Sequence, residues 1–398
     1  VRTNSTLVRI GVGLCLGIAL SATAAFGVVP PAVDWARFYG DSLSTSGSSV
    51  AQRHGGGFLA AGWMKPGRYM GLRGFLVATD SQGDVEWARS LSPAHATAEF
   101  STVRATEDHG FILGGAVRDT AVRVGPLMYA VKVDSMGNRE WEDVFYQDTE
   151  AICYSAVQCS DGGYALLGVV SGARPNSGYK LYKTDAAGAL EWSQLYQENV
   201  GKDASVPDHA PLQQTSDGGY FIGARKDSSG AWLLKTDSLG AVEWQRTYVG
   251  QLAADVRSLQ QTDDGGYIVT GAGASSWLSP NGSDVYLMKL NSEGDVNWRR
   301  TYGGEKEDCG EAVAELPDGG YVVAGLTGSF EAEGMDGYVV RTNSEGALQW
   351  SRTFGGYGHE AYALEPTSDG GSILVCRAYN PLVRHSQLEL VKLGAEGQ

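Results

Sequence analysis

Charge, histidine and cysteine are all sparse in this chain. Only 19% of its 398 residues are charged, and acidic side chains outnumber basic ones 46 to 31, for a formal net charge of -15. Surfaces that bind nucleic acid or anionic membranes need basic patches, so the balance argues against both partner classes. Six histidines and five cysteines are too few and too scattered for a zinc pattern. No spacing matches a His-Glu-x-x-His helix, a nucleophile elbow or a phosphate loop, so no catalytic residue is assigned and no cofactor is expected. Long apolar runs are equally scarce, with one near the N-terminus.

That run, Ile10 to Leu20, follows Arg2 and Arg9 and precedes the small-residue segment Ser21-Ala22-Thr23-Ala24-Ala25. The layout is that of a secretory signal over residues 1–25, cut after Ala24 or Ala25, with residues 26–32 as a linker. An uncleaved anchor is the other reading, although the apolar core falls short of the ~20 residues a span requires. Cys15 lies within the apolar core behind Leu14, where a lipobox needs a small residue, which argues against lipidation. The expected destination is the periplasm, the cell surface or the medium, with no integral membrane segment in the mature chain. An oxidising compartment permits disulfides among Cys153, Cys159, Cys309 and Cys376. Cys153 and Cys159 would lie about 20 Å apart on one extended strand, too far to pair, and buried free thiols are the default expectation.

What the chain has in abundance is glycine, 55 residues, together with 10 Trp, 19 Tyr and 10 Phe. Glycine turns joining short aromatic-rich strands give this profile. A repeat organises them. Trp35, Trp87, Trp141, Trp192, Trp244, Trp298 and Trp350 recur at intervals of 51 to 54 residues. A second series is Asp-Gly-Gly-Tyr, clearest at Asp161–Tyr164, Asp217–Tyr220, Asp264–Tyr267 and Asp318–Tyr321, with weaker copies at Gly55–Phe58, Asp108–Phe111 and Asp369–Ser372. A third precedes each tryptophan, as in Lys235-Thr236-Asp237-Ser238-Leu239-Gly240 before Trp244.

Each unit therefore reads as four short antiparallel strands. Asp-Gly favours a tight hairpin, and the Asp-x-x-Gly turn places glycine in the left-handed position of a bulged one. The repeated aspartates are turn formers, and the tryptophans are inter-blade packing residues. The recurrent lysines Lys132, Lys183, Lys235, Lys289 and Lys392 are expected to lay their stems along the sheet with the ammonium in solvent.

A four-stranded sheet that is apolar on both faces needs similar sheets on either side, which points to an all-β, seven-bladed β-propeller over residues 33–398. The last repeat stops at Gln398 before its tryptophan strand, and Val33 to Gly40 has the form of that missing strand. Its insertion would complete the seventh blade and close the ring; an open solenoid is the alternative. A closed ring of this kind is expected to be a monomer.

Asp-Gly-Gly-Tyr followed by Lys-Thr-Asp-x-x-Gly-x-x-x-Trp resembles the repeats of a large group of exported prokaryotic β-propeller proteins, over essentially the whole mature chain. The group has no single activity, so the resemblance implies a fold and not a function. Ala78, Asp80, Gly83 and Trp87 also echo quinone-dependent dehydrogenase repeats, but the Asp-to-Gly interval is one residue shorter and no adjacent cysteine pair is present.

The tight turns repeat almost unchanged, whereas the loops of the opposite face vary. Blade-joining loops supply Asp41, His95, Glu99, Asp148, Glu150, Asp203, Asp208, His209, Asp255, Glu307, Asp308, His359 and Glu360. The remaining loops of that face add Arg68, Tyr69, Arg73, Arg123, Arg174, Trp277, Tyr379 and Arg384. From these, Asp41, His95, Asp148, Asp208, His209, Asp255, Asp308, His359 and Glu360 form the candidate binding face, for a protein or glycan ligand, with calcium as a possible ion. Scattered surface charge explains the same residues without any site. The enzymatic alternative is a polysaccharide hydrolase or lyase that uses loop carboxylates.

Overall fold

The computed structural model describes residues 13–14, 19–24, 30–40, 44–67, 71–93, 96–119, 125–145, 151–170, 178–196, 209–226, 230–249, 255–273, 282–330, 332, 334–355, 360–380 and 385–395. Among the described residues there is no helix, and the strands form seven antiparallel sheets. The chain is a seven-bladed β-propeller.

The blades run, from inner to outer strand, as follows in chain order. Blade 1 is Thr45–Gln52, Phe58–Met64, Arg73–Thr79 and Val85–Leu91. Blade 2 begins at Ala96–Ala105, blade 3 at Ala151–Gln158, blade 4 at Leu212–Gln214, blade 5 at Ser258–Gln261, blade 6 at Asp308–Glu315 and blade 7 at Glu360–Pro366. Blade 7 is completed by Val33–Tyr39, which pairs with His385–Leu393 from Val33 opposite Leu393 to Tyr39 opposite Leu388. The ring closes as the repeat phase predicts.

Seven apolar clusters hold the ring, and each is built from two neighbouring blades. The closing cluster joins Tyr39, Ile373, Val375, Leu388 and Leu390 of blade 7 to Val50, Phe58, Ala60 and Phe75 of blade 1. The tryptophans seal these seams at the outer edge. Six of them are half-buried rather than fully enclosed, each lying over the left-handed glycine of the next blade's Asp-x-x-Gly turn. A methyl group on Gly137 would come within 2.6 Å of the Trp87 ring, so only glycine meets both the positive φ and the ring above it. Tyrosines reach across the same seams: the Tyr39, Tyr196, Tyr248 and Tyr302 hydroxyls donate to the carbonyls of Gly83, Gly240, Gly294 and Gly346 at 2.6–2.8 Å. Trp350 differs in being buried to 2%.

Near the channel the inner strands are tied by side chains. Gln158, Gln214, Gln261, Glu315 and Gln52 each end an inner strand and accept the backbone N–H of Glu107, Ser160, Ser216, Asp263 and Ser368 of the preceding blade. The equivalent positions in blades 2 and 7 are Ala105 and Pro366.

The recurrent lysines depart from expectation. Lys132, Lys183, Lys235, Lys289 and Lys392 are 1–4% exposed. Each Nζ donates to the carbonyl of the following residue and pairs with the aspartate of its own Asp-Gly turn. Arg341 takes this role beside Asp318. The sheet leaves the ammonium no path to solvent, while the turn carboxylate and a free carbonyl lie within its reach, so the cation is enclosed and paired. The four cysteines after Cys15 are buried and free, and burial pushes the Cys153 thiol up to about 12.

Two further strands extend the ring. Gly13–Leu14 pairs with Arg37 and Phe38, and Ala19–Ala24 pairs along the outer strand of blade 6, with Ala24 opposite Trp350. Both lie outside the four strands of their blades. Among the described residues no helix is long and apolar enough to cross a membrane.

Two outcomes test this account. Deleting Val33–Tyr39 removes Tyr39 and Trp35 from the closing seam, together with buried Phe38, and should lower Tm by on the order of 10 °C in a calorimetric scan; unchanged Tm would refute closure by this strand. The Asp108, Asp217 and Asp264 carboxyls feel burial, which alone would raise their pKa, but bonds from lysine, threonine and glycine N–H outweigh it and hold them at about 2. A folded-state pKa below the unfolded value of about 4 contributes stability above pH 4 that disappears as pH falls toward 2. Replacing all three with Asn should therefore flatten the stability profile between pH 4 and 2, measured by urea unfolding, and a slope equal to wild type would contradict the lysine–aspartate account.

Candidate functional site

All seven inner strands face one central channel, which encloses a cavity of about 940 Å³. In five blades the inner strand slips register by one residue, so that the ladder to the next strand skips Ser48, Ser101, Tyr154, Glu311 or Tyr362. A bulge re-aims the side chain it carries, and these five all line the cavity. Arg257 and Ala210 occupy the same repeat position in blades 5 and 4 and line it too. The result is an uneven ring, with small residues from blades 1, 2 and 4 facing Tyr154, Arg257, Glu311 and Tyr362.

Arg257 anchors the charged half. Its Nε donates to Asp255 Oδ2 at 3.0 Å and a terminal nitrogen pairs with Glu311 Oε1. Burial works against the guanidinium, but the carboxylates beside it outweigh that and raise its pKa. Glu311 is 1% exposed. Burial would push its carboxyl up, yet His209 and Arg257 hold it below the usual range, so it is ionised at neutral pH. No aligned hydrogen bond reaches Glu311 Oε2, whose polar neighbour is His209 Nε2 at 3.2 Å. On the blade 7 side the Tyr362 hydroxyl donates to Glu360, with Arg377 beside them on the cavity wall. Deeper toward the tight turns, Glu365 also lines the cavity; burial raises its pKa against the pull of Arg104 and the Gln52 N–H, and its Oε2 has no hydrogen-bond partner.

Of the nine residues of the sequence-derived face, Asp41, His95, Asp148, Asp208 and His359 lie outside the described residues. His209 and Glu360 reach the channel. Asp255 and Asp308 serve the fold. Asp255 accepts from Ala272 N–H at 2.8 Å and from Arg257, while Asp308, fully buried, accepts from Gly304 N–H at 2.7 Å, Ser329 at 2.9 Å and Thr327. Tyr154, Arg257, Glu311, Tyr362 and Glu365 were not anticipated. A periodic signal does mark the ring, because each of its positions lies ten residues ahead of the position taken by the aromatic of the Asp-Gly-Gly-Tyr turn. Among the described residues no three His, Cys, Asp or Glu side chains stand in a metal-ligating group.

No protein-family model and no curated protein matches the sequence. Solved structures show the same architecture. The WD40 domain of Toxoplasma gondii coronin aligns with a TM-score of 0.53 at 12% identity, over 96% of this chain and 88% of that one. A puromycin hydrolase S511A mutant complexed with PGG aligns at 0.52 and 12% identity, over 86% of this chain and 53% of that one. At this identity the likeness establishes the fold alone.

The Arg257 cluster carries a specific expectation for stability. Arg257→Leu leaves the buried Glu311 carboxylate and the part-exposed Asp255 carboxylate without their shared cation and should cost about 3–5 kcal/mol in urea unfolding. Arg257→Leu with Glu311→Leu should recover most of that loss; a double variant as unstable as the single would contradict the pairing.

Proposed function

We propose that this chain is an exported, non-enzymatic binding propeller whose central channel takes a glycan from the loop face. The observation that carries the reading is the ring of bulged side chains. Bulges cost ladder hydrogen bonds, and here five blades spend them to aim side chains into one cavity. Tyr154, Tyr362 and Trp63 are part-exposed in the cavity wall, which Ser46, Ser48, Ser49 and Ser101 also line, with Trp63 paired across the ladder to Ser46. Aromatic faces beside hydroxyls suit a sugar ring, which presents apolar C–H faces and hydroxyl edges.

Support for a non-enzymatic role comes from the loop acids. Asp255 and Asp308 are engaged by structural donors, and Glu311 is an ion-pair partner held ionised, unsuited to act as a general acid. Export rests on residues 1–25. The strands within that segment are additions at blade edges, so their removal leaves every blade its four strands.

The test is a thermal shift series with neutral oligosaccharides, since a ligand of the folded ring raises its stability. A saturable rise in Tm should occur with at least one neutral oligosaccharide and disappear in Tyr154→Ala. A rise that persists in Tyr154→Ala would move the site off the channel, and no rise across the panel would favour a protein partner on the loop face.

A further inference from the structure

Among the described residues, Asp255 and Glu311 together hold a single guanidinium, that of Arg257, so the cluster carries one carboxylate more than it has fixed cations. The surplus is localised. Glu311 Oε1 is taken by Arg257, whereas Oε2 has, among the described residues, only the His209 imidazole beside it. His209 itself is one-third exposed and lines the cavity, so it covers the carboxylate from the channel side. On the adjacent blade, Glu365 Oε2 is a buried acceptor with no hydrogen-bond partner among the described residues, on the same cavity wall. Glu365 lies three residues beyond the ring position of its strand, or about 10 Å further along the channel. Buried acceptors left unpaired cost about 1–3 kcal/mol each, and more when charged. One unpaired acceptor, Glu365 Oε2, and one carboxylate oxygen held only by an imidazole, Glu311 Oε2, in the same channel call for a ligand that brings donors and positive charge.

Resting on the glycan reading above, we infer that the ligand is an amino sugar chain: an ammonium group displaces the His209 imidazole from Glu311, and a second donor reaches Glu365. The serine-rich and tyrosine-bearing walls contact the pyranose rings, and the carboxylates select the unacetylated amine. A neutral sugar could use the same walls but would leave Glu311 Oε2 without a charged partner.

The experiment is calorimetric titration of the full chain with β-1,4-linked glucosamine tetramer and with its N-acetylated counterpart, alongside Glu311→Gln, Glu365→Gln and His209→Ala. The glucosamine tetramer should bind at least about tenfold more tightly than the acetylated one. Glu311→Gln should erase the difference, Glu365→Gln should narrow it, and His209→Ala, which lifts the cover, should leave the glucosamine affinity equal or higher. Thermal unfolding of each variant establishes that it is folded; if Glu311→Gln is not, the other two variants decide. Equal affinity for the two tetramers, a preference that survives Glu311→Gln, or weaker glucosamine binding in His209→Ala overturns the inference. If the acetylated tetramer binds equally well and depends on Tyr154, the channel reading survives that failure. If neither tetramer binds, the inference falls and the channel reading stands or falls with the neutral oligosaccharides.

Discussion

Every blade is apolar on both faces, and this constraint governs the rest of the structure. A sheet of that kind must be covered twice, and seven copies in a ring cover one another with no face left over. The seven two-blade clusters are the direct expression of this requirement. Tryptophan on the outer strand, glycine beneath it and a tyrosine hydroxyl bonded to the same glycine carbonyl form a seam that repeats with small variations. The N-terminal strand belongs to this logic, since without it the seam between blades 7 and 1 would lack Tyr39.

Ring packing also explains how polar residues come to be enclosed. The recurrent lysines are 1–4% exposed, and each is paired with the half-exposed aspartate that shapes its own hairpin. One residue type thus serves two tasks: the Asp108 carboxylate accepts Gly110 N–H to set the turn and holds Lys132 at the same time. At the centre, where sheets give way to a channel, register slips release side chains from the ladder. The recurring seams join the blades, and the bulged positions differ from blade to blade.

The fold was legible because its signals recur. Seven tryptophans and seven turns at a near-constant interval point to blades, and the phase of the termini reveals the closure. The site was less legible for the opposite reason. Its residues, Ser48, Ser101, Tyr154, Ala210, Arg257, Glu311 and Tyr362, share a repeat position but no chemistry, so a search for recurring residue types passes over them. Loop acids stand out in sequence by charge, and in the structure Asp255 accepts from Ala272 N–H and Arg257 while Asp308 accepts from Gly304 N–H and two hydroxyls. The lysines were misread as solvent-facing because one strand in isolation does not show that the Asp-Gly turn brings a carboxylate over the ammonium. His209 and Glu360, named for their position ahead of an inner strand, do reach the cavity.

The central claim is that binding occurs in the channel at the level of the bulges. Hydrogen exchange of the backbone amides, followed by mass spectrometry with and without saturating oligosaccharide, tests it most directly. Added protection should concentrate on the inner strands around Tyr154, Glu311 and Tyr362 while the tight turns exchange unchanged. Protection confined to the tight-turn face or the outer strands would contradict the account.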